Sequence, residues 1–221
     1  MVLPTVAAFF YFVQARTLPV VWQRSAYGLG KLVLLLPLVW HFGVERRPLP
    51  RVPRSVAGVP IGLAFGAFVS LAMLVLYYAA LRGSPPFLAA AEAVRDKLIG
   101  FGLDSPATYA AFGVFVSLLH SALEEYYWRW FVFGRLRDYL AFMPAAVVGS
   151  LAFMAHHVII LGVYFGWGSL THVLFSLGVA VGGFVWCWIY HRSGSLLGPW
   201  LSHALVDAAI FVVGYDLVIA A

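Results

Sequence analysis

Charged residues are scarce in this 221-residue sequence. Only 10% of its residues are Asp, Glu, Lys or Arg, whereas 63% are hydrophobic. A soluble domain is about one-quarter charged and about half apolar, so this composition excludes an ordinary water-soluble protein. The net charge of +5 does not indicate a nucleic-acid partner, because the basic residues lie in short gaps between apolar runs, as in loops that orient membrane proteins. The composition predicts a polytopic protein surrounded by membrane lipid.

Cysteine is almost absent, and so are several catalytic signatures. Cys187 is the only cysteine, which excludes an intrachain disulfide. The sequence lacks HExxH, the helix signature of many zinc enzymes, and it has neither a rhomboid-type GxSG motif with a suitable histidine helix nor GxGD. No cleavable signal pattern precedes the first apolar run. These absences exclude the commonest intramembrane protease signatures.

Long apolar runs dominate the chain. A membrane-spanning helix needs roughly 20 mostly apolar residues. Because backbone polar groups must be satisfied inside lipid, such runs are expected to be helical. We therefore predict an all-α, polytopic transmembrane helix bundle with seven to eight spans, folded as a single integral membrane domain over residues 1–221. The seven candidate spans are 1–15, 26–43, 57–81, 105–123, 142–165, 168–190 and 196–219.

Three segments between these runs have distinct compositions. PFLAAAEAVRDKLIG (86–100) mixes apolar and charged residues and predicts an amphipathic surface helix. YYWRWFVFGRLRDYL (126–140) fits either an interfacial helix or part of another span, which leaves the span number open. ERRPLPRVPR (45–54) carries four arginines and favours the cytoplasmic side.

Two pairs of glycines have the GxxxG spacing, which lets helices approach closely in membranes. They are Gly62 with Gly66 and Gly178 with Gly182. Chance occurrence in glycine-rich spans is an equally good explanation.

Ionisable side chains within spans are costly and usually face a protein interior or a wet cavity. Glu125 and Arg129 share a helix face because they are four residues apart, and the same holds for His203 and Asp207. Taken together, Glu124 and the groups on two later spans predict one pocket that activates a water and stabilises an oxyanion. That set is Glu124, His157, His203 and Asp207.

Other ionisable groups in or near the spans are interpreted as structural: His120, His156, His172 and Asp216. His156 and His157 are adjacent, and adjacent helical residues point about 100° apart. We therefore expect only one of them to face the pocket.

Three ordered motifs support a family resemblance over residues 105–215. EEYYWR has the form EExxxR, FMAHH (153–157) has the form FxxxH, and HALVD (203–207) has the form HxxxN/D. In these motifs the sequence resembles the CPBP family of intramembrane proteases, which includes the CAAX prenyl proteases and bacterial relatives linked to bacteriocin immunity. The FxxxH match selects His157 over His156.

The resemblance implies a role for each motif residue. Glu124 would activate the attacking water with help from His157, and His203 with Asp207 would stabilise the oxyanion. Glu125 and Arg129 would support the helix that carries Glu124. Asp207 stands where asparagine is usual. A carboxylate donates a hydrogen bond only when protonated, so Asp207 could instead orient His203 or bind a metal.

The sequence favours a glutamic-type mechanism with no cofactor, although zinc bound by Glu124, His157, His203 and Asp207 is an alternative. Depth in the membrane argues against the metal. His157 lies about 13 residues, or roughly 20 Å of helix, past Pro144, whereas His203 lies near the start of its span.

We therefore predict an intramembrane endopeptidase that cleaves a peptide bond at or within the bilayer. Its substrate would be a peptide or protein, with lipid-modified proteins as one option. The compact chain favours a prokaryotic plasma membrane. The alternatives are a catalytically inactive scaffold or immunity factor, and a small proton-coupled transporter, for which inverted repeats would be expected.

Overall fold

The computed structural model describes residues 1–14, 17–46 and 56–220, and every regular element in these ranges is a helix. Residues 47–54, most of the arginine-rich segment, lie outside the described residues. The expectation that this loop is cytoplasmic falls on them and stays a prediction. In chain order the helices are α1 Leu3–Gln14, α2 Val20–Leu32, α3 Val33–Val44, α4 Val59–Leu81, α5 Pro85–Phe101, α6 Pro106–Arg137, α7 Phe142–Phe165, α8 Leu170–Ser193 and α9 Leu197–Val218.

Five of these helices, α4 and α6 to α9, are long and apolar enough to cross a membrane. They correspond to five of the predicted spans, so an all-helical membrane protein is confirmed. The predicted spans 1–15 and 26–43 are not confirmed, since the described residues there include only shorter apolar helices, Leu3–Gln14 and Val33–Val44. Each is shorter than the roughly 20 residues that one crossing needs.

The structure corrects the end of the fourth predicted span. Helix α6 is 32 residues long, so Glu124 and Glu125 lie within it, and the aromatic segment after them continues the same helix as far as Arg137. A prediction from hydropathy ends the span at Glu124 and Glu125, because it assumes that every charged side chain in a span is exposed to lipid. Here both glutamates are buried against protein partners, so the helix continues through them.

Helix α6 changes its winding around the two glutamates. The α-helical turn Ser121–Glu125 lies between two π-helical stretches, Val116–His120 and Tyr126–Phe133. Such wider turns often occur at functional sites, because they alter which side chains share a face. Neither hydropathy nor motif spacing predicts this change.

Helix α5 lies at the predicted amphipathic segment. It begins with Pro85 at its first position and is capped after Phe101 by Gly102, whose φ of 71° is left-handed. Glycine adopts this conformation at helix ends without steric cost. Its apolar face, which includes Phe87 and Leu98, is buried.

The first GxxxG pair is a close-packing site, whereas the second is not. A Cβ added to Gly62 would collide with the backbone of Gly198, and one added to Gly66 would lie 2.8 Å from the Cα of Ser202. Helices α4 and α9 therefore meet backbone to backbone beside His203, as small residues allow. A Cβ on Gly178 would meet nothing within 4 Å among the described residues.

We expect Gly62→Ala to destabilise the protein, because its methyl group would force α4 away from α9. Overpacking of this kind costs about 1–3 kcal/mol. Thermal unfolding in detergent would measure the loss. Gly178→Ala is the matched control and should be neutral or slightly stabilising, since alanine favours helix. Equal melting temperatures for the two variants would contradict the close contact.

Candidate active site

Four helices converge on one buried cluster of polar side chains. Helix α6 supplies two glutamates and an arginine, α7 two adjacent histidines, and α9 a histidine and an aspartate, while α8 adds a tryptophan against the cluster. The members are Glu124, Glu125, Arg129, His156, His157, Trp186, His203 and Asp207. An aromatic core that includes Tyr127, Trp128 and Phe153 packs beside them.

Glu124 lies at the centre of three imidazoles. Its Oε1 is 3.4 Å from Nε2 of His120 and 3.4 Å from Nε2 of His156. Its Oε2 is 3.8 Å from Nε2 of His203. Only 7% of the residue is exposed, so this carboxylate is surrounded by nitrogen atoms rather than by lipid. Such a group can accept a proton where water is scarce.

Glu125 joins two of the predicted site residues. Its Oε1 lies 3.1 Å from Nη1 of Arg129, as the i,i+4 spacing predicts, and 2.8 Å from Nδ1 of His203. Glu125 and Arg129 are 0% and 1% exposed at their side chains. The Arg129 guanidinium also lies 4.5 Å from the ring centre of Phe153 and 4.9 Å from that of Trp186. This buried pair links α6 to α9 and stacks against α7 and α8.

His203 is oriented by Glu125 at one nitrogen and faces the pocket with the other. Nδ1 donates to Glu125, and Nε2 lies 3.6 Å from Oδ1 of Asp207 and 3.8 Å from Oε2 of Glu124. Sequence reasoning gave the orienting role to Asp207, but the shorter contact is with Glu125. The ring stacks on Trp186 at 4.3 Å, and the Trp186 indole N–H donates to Ser202. To donate from Nε2 as well, His203 must carry both protons.

His157 uses one nitrogen within its own helix. Nδ1 donates to the carbonyl of Phe153 at 3.1 Å, one helical turn earlier. Because a carbonyl can only accept, this bond selects the tautomer whose Nε2 has a free lone pair. His157 is thus arranged to accept a proton or to bind a cation at Nε2.

Both adjacent histidines reach Glu124, so the expectation that only one faces the pocket is wrong. Glu124, His156 and His157 each offer one ligand atom, and these atoms lie within 4.8 Å of one another. Neighbouring helical residues point about 100° apart, which is not enough to direct the two imidazoles into separate environments. Their ring centres are 4.0 Å apart. Both imidazoles therefore lie near one carboxylate, and His156 is 3.4 Å from it.

The predicted difference in depth between His157 and His203 is also wrong. Both lie near Glu124. Counting residues from each helix start cannot detect how α7 and α9 are tilted or shifted relative to each other. The grouping of possible metal ligands differs from the predicted alternative. It contains His156 in addition to Glu124 and His157, and it omits His203 and Asp207. One carboxylate and two imidazoles are suitable donors for zinc.

Two residues interpreted as structural, His120 and His156, lie at the site. Spacing in the sequence could have placed His120 at the site, since it precedes Glu124 by four residues and such pairs share a helix face. The other two residues have structural contacts. Nε2 of His172 lies 3.0 Å from the carbonyl of Val158. Asp216 accepts from Tyr77 at 2.8 Å and from Arg82 at 2.9 Å.

The fold and the site define an integral membrane protein with a buried acid–histidine centre. Residues 106–209 match the family described as Type II CAAX prenyl endopeptidase Rce1-like. This part of the chain matches the CAAX protease-like (CPBP) family that its three motifs indicate. A family of membrane-embedded proteases implies a lipid environment and peptide substrates. Searches of curated proteins and of solved structures gave no match.

Proposed function

We propose that the protein is an intramembrane endopeptidase in which Glu124 and His157 activate a water molecule for attack on a peptide carbonyl. The observation that supports this most is the arrangement around Glu124 Oε2, which faces Nε2 of His203 at 3.8 Å in a buried site. A base and a hydrogen-bond donor therefore lie side by side, so that Glu124 could bind the attacking water while His203 binds the carbonyl oxygen. General-base catalysis requires this closeness.

Each group has a defined part in the proposed reaction. Glu124 takes a proton from the water, and the free lone pair of His157 Nε2 assists. The resulting hydroxide adds to the carbonyl carbon, and the negative oxygen accepts a hydrogen bond from Nε2 of His203. The tetrahedral intermediate then collapses, the C–N bond breaks, and Glu124 returns its proton to the leaving amine.

Two carboxylates position the oxyanion donor. Glu125 holds Nδ1 of His203 at 2.8 Å, and Asp207 lies 3.6 Å from Nε2. Since an ionised Asp207 accepts and cannot donate, we assign it to His203 and not to the oxyanion. Arg129 neutralises Glu125 and so keeps a buried negative charge compensated.

We also propose an organisation around this core. The whole of residues 1–221 forms one membrane domain, in which α1 and the α2–α3 segment each cross the bilayer and bring the five long spans to seven. Eight spans would require the aromatic segment 126–140 to form part of a further crossing. Helix α5 lies at the membrane surface. Its charged residues support this, since Glu92 and Asp96 are exposed while its apolar face is buried. We place the protein in a prokaryotic plasma membrane, with lipid-modified proteins as candidate substrates.

The activity can be tested with purified protein in detergent micelles and a peptide library that includes lipid-modified members. Mass spectrometry would identify cleaved bonds in wild type and in Glu124→Gln. Bonds cut only by wild type would support the proposal. If neither protein cleaves any peptide, an inactive scaffold or immunity factor, or a proton-coupled transporter, becomes the better hypothesis.

We expect a strong chelator to leave the activity unchanged, because the proposed mechanism needs only protein groups. Metal analysis should find less than one ion per chain in wild type. Glu124→Gln serves as the control and should contain the same trace amount. Zinc, if bound, would be held by Glu124, His156 and His157 and would polarise the water. Stoichiometric zinc that is lost with activity on chelation, and restored with it, would contradict the cofactor-free mechanism.

A further inference from the structure

We propose that His156, which occupies a variable position of the FxxxH motif, is a positioning residue for the carboxylate of Glu124. This proposal rests on the proposed function, since it explains how the base of that reaction is aimed. It gives the two adjacent histidines different tasks. His157 would accept or share the proton of the water, whereas His156 would hold one oxygen of Glu124 so that the other faces the reaction.

The contact between His156 and Glu124 is buried, and only one nitrogen of the imidazole takes part in it. Nε2 of His156 lies 3.4 Å from Oε1 of Glu124, and 7% of His156 is exposed. The other nitrogen, Nδ1, is buried without a hydrogen-bond partner in the part of the chain that the structure describes. The tautomer that fits these surroundings carries its proton on Nε2, where an acceptor is present. His156 can therefore donate to Glu124.

The ring of His156 is held flat between aromatic neighbours. It stacks on Trp128 at 5.6 Å with an interplanar angle of 3°, and Phe153 meets it edge-on at 5.4 Å. Trp128 follows Glu124 by four residues on α6, so one helix supplies both the stacking surface and the acceptor. This arrangement restrains the direction in which the imidazole can donate.

The two carboxylate oxygens of Glu124 therefore have different neighbours. Oε1 lies 3.4 Å from both His120 and His156, while Oε2 faces His203 at 3.8 Å. A contact of 3.4 Å is longer than a typical N–H···O hydrogen bond. Catalytic contacts are often long in the free enzyme and tighten with substrate. We therefore assign Oε2 as the basic oxygen and Oε1 as the anchored one.

Steady-state kinetics test this role with two variants. His156→Phe keeps a ring against Trp128 but removes the donor, so kcat should fall about 10- to 100-fold with KM nearly unchanged, as expected for a misplaced catalytic group. His156→Gln supplies an amide donor and should recover most of the loss. Wild-type kcat in His156→Phe, or a loss that glutamine fails to reduce, would overturn the proposal.

His172→Phe is the matched control, because His172 is buried to a similar extent, at 8% exposed, but contacts backbone groups away from Glu124. It should lower the melting temperature and leave the kcat of the folded protein intact. His156→Phe should show the opposite pattern. If His156→Phe lowers stability as much as His172→Phe and kcat no more, His156 is merely structural.

A measurement without substrate separates this proposal from the proposed function. In protein labelled with ¹⁵N-histidine, the resonances missing from His156→Gln identify His156. They should show a proton on Nε2, none on Nδ1, and a clear shift in Glu124→Gln. A proton on Nδ1, or resonances unchanged by Glu124→Gln, would overturn the assignment. If the resonances behave as expected but wild type cleaves no peptide, the contact stands and the peptidase proposal fails.

Discussion

Glu124→Gln is expected to abolish peptide cleavage while leaving the helix bundle folded. Glutamine keeps the size of the side chain but cannot take a proton from water. Loss of a general base typically costs roughly 10²- to 10⁴-fold in rate. The initial rate of cleavage of an identified peptide would measure the effect, with the melting temperature recorded on the same preparation.

Glu92→Gln is the matched control, because Glu92 lies exposed on α5 and carries the same charge before substitution. It should cleave at the wild-type rate. A Glu124→Gln variant that is as active as Glu92→Gln would mean that Glu124 is not the base. The basic group would then have to be sought among the surrounding histidines.

Arg129→Ala is expected to cause a large loss of stability as well as of activity. It would leave the buried carboxylate of Glu125 without its cation and empty the space between the Phe153 and Trp186 rings. Removing one partner of a buried ion pair costs about 3–5 kcal/mol, because an uncompensated charge remains. Thermal unfolding and the yield of monodisperse protein would measure the effect.

Arg82→Ala provides the comparison, since Arg82 also pairs with a carboxylate, that of Asp216, but its side chain is 59% exposed. An exposed ion pair contributes at most about 1 kcal/mol, so this variant should remain stable. An Arg129→Ala protein that is inactive but as stable as Arg82→Ala would contradict a structural role. Arg129 would then belong to the chemistry.

Local spacing correctly predicted several contacts of the site. The i,i+4 rule that pairs Glu125 with Arg129 holds in the structure at 3.1 Å, and it also places His203 within 3.6 Å of Asp207. Both pairs lie within a single helix. Their geometry follows from the number of residues per turn and needs no knowledge of neighbouring helices.

Contacts between helices were less predictable. His156 is interpreted as structural from the sequence, because a lone histidine in a span usually bonds to a neighbouring helix. Its approach to Glu124 depends on how α6 and α7 are rotated and shifted. Glu125, expected only to pair with Arg129, also holds His203. Residues 78 positions apart along the chain give no local sign of such a contact.

The sequence by itself determined the membrane-embedded helical class, the five long spans and the three motifs that mark the family, because hydropathy and spacing within a helix are local properties. Only the tertiary structure decided that α6 continues through its two glutamates and that His156, His157 and His203 all lie near the carboxylate of Glu124. The reason is physical. Burial and pairing with side chains from other helices determine whether a charge can remain inside a span, and those partners come together only when the helices pack.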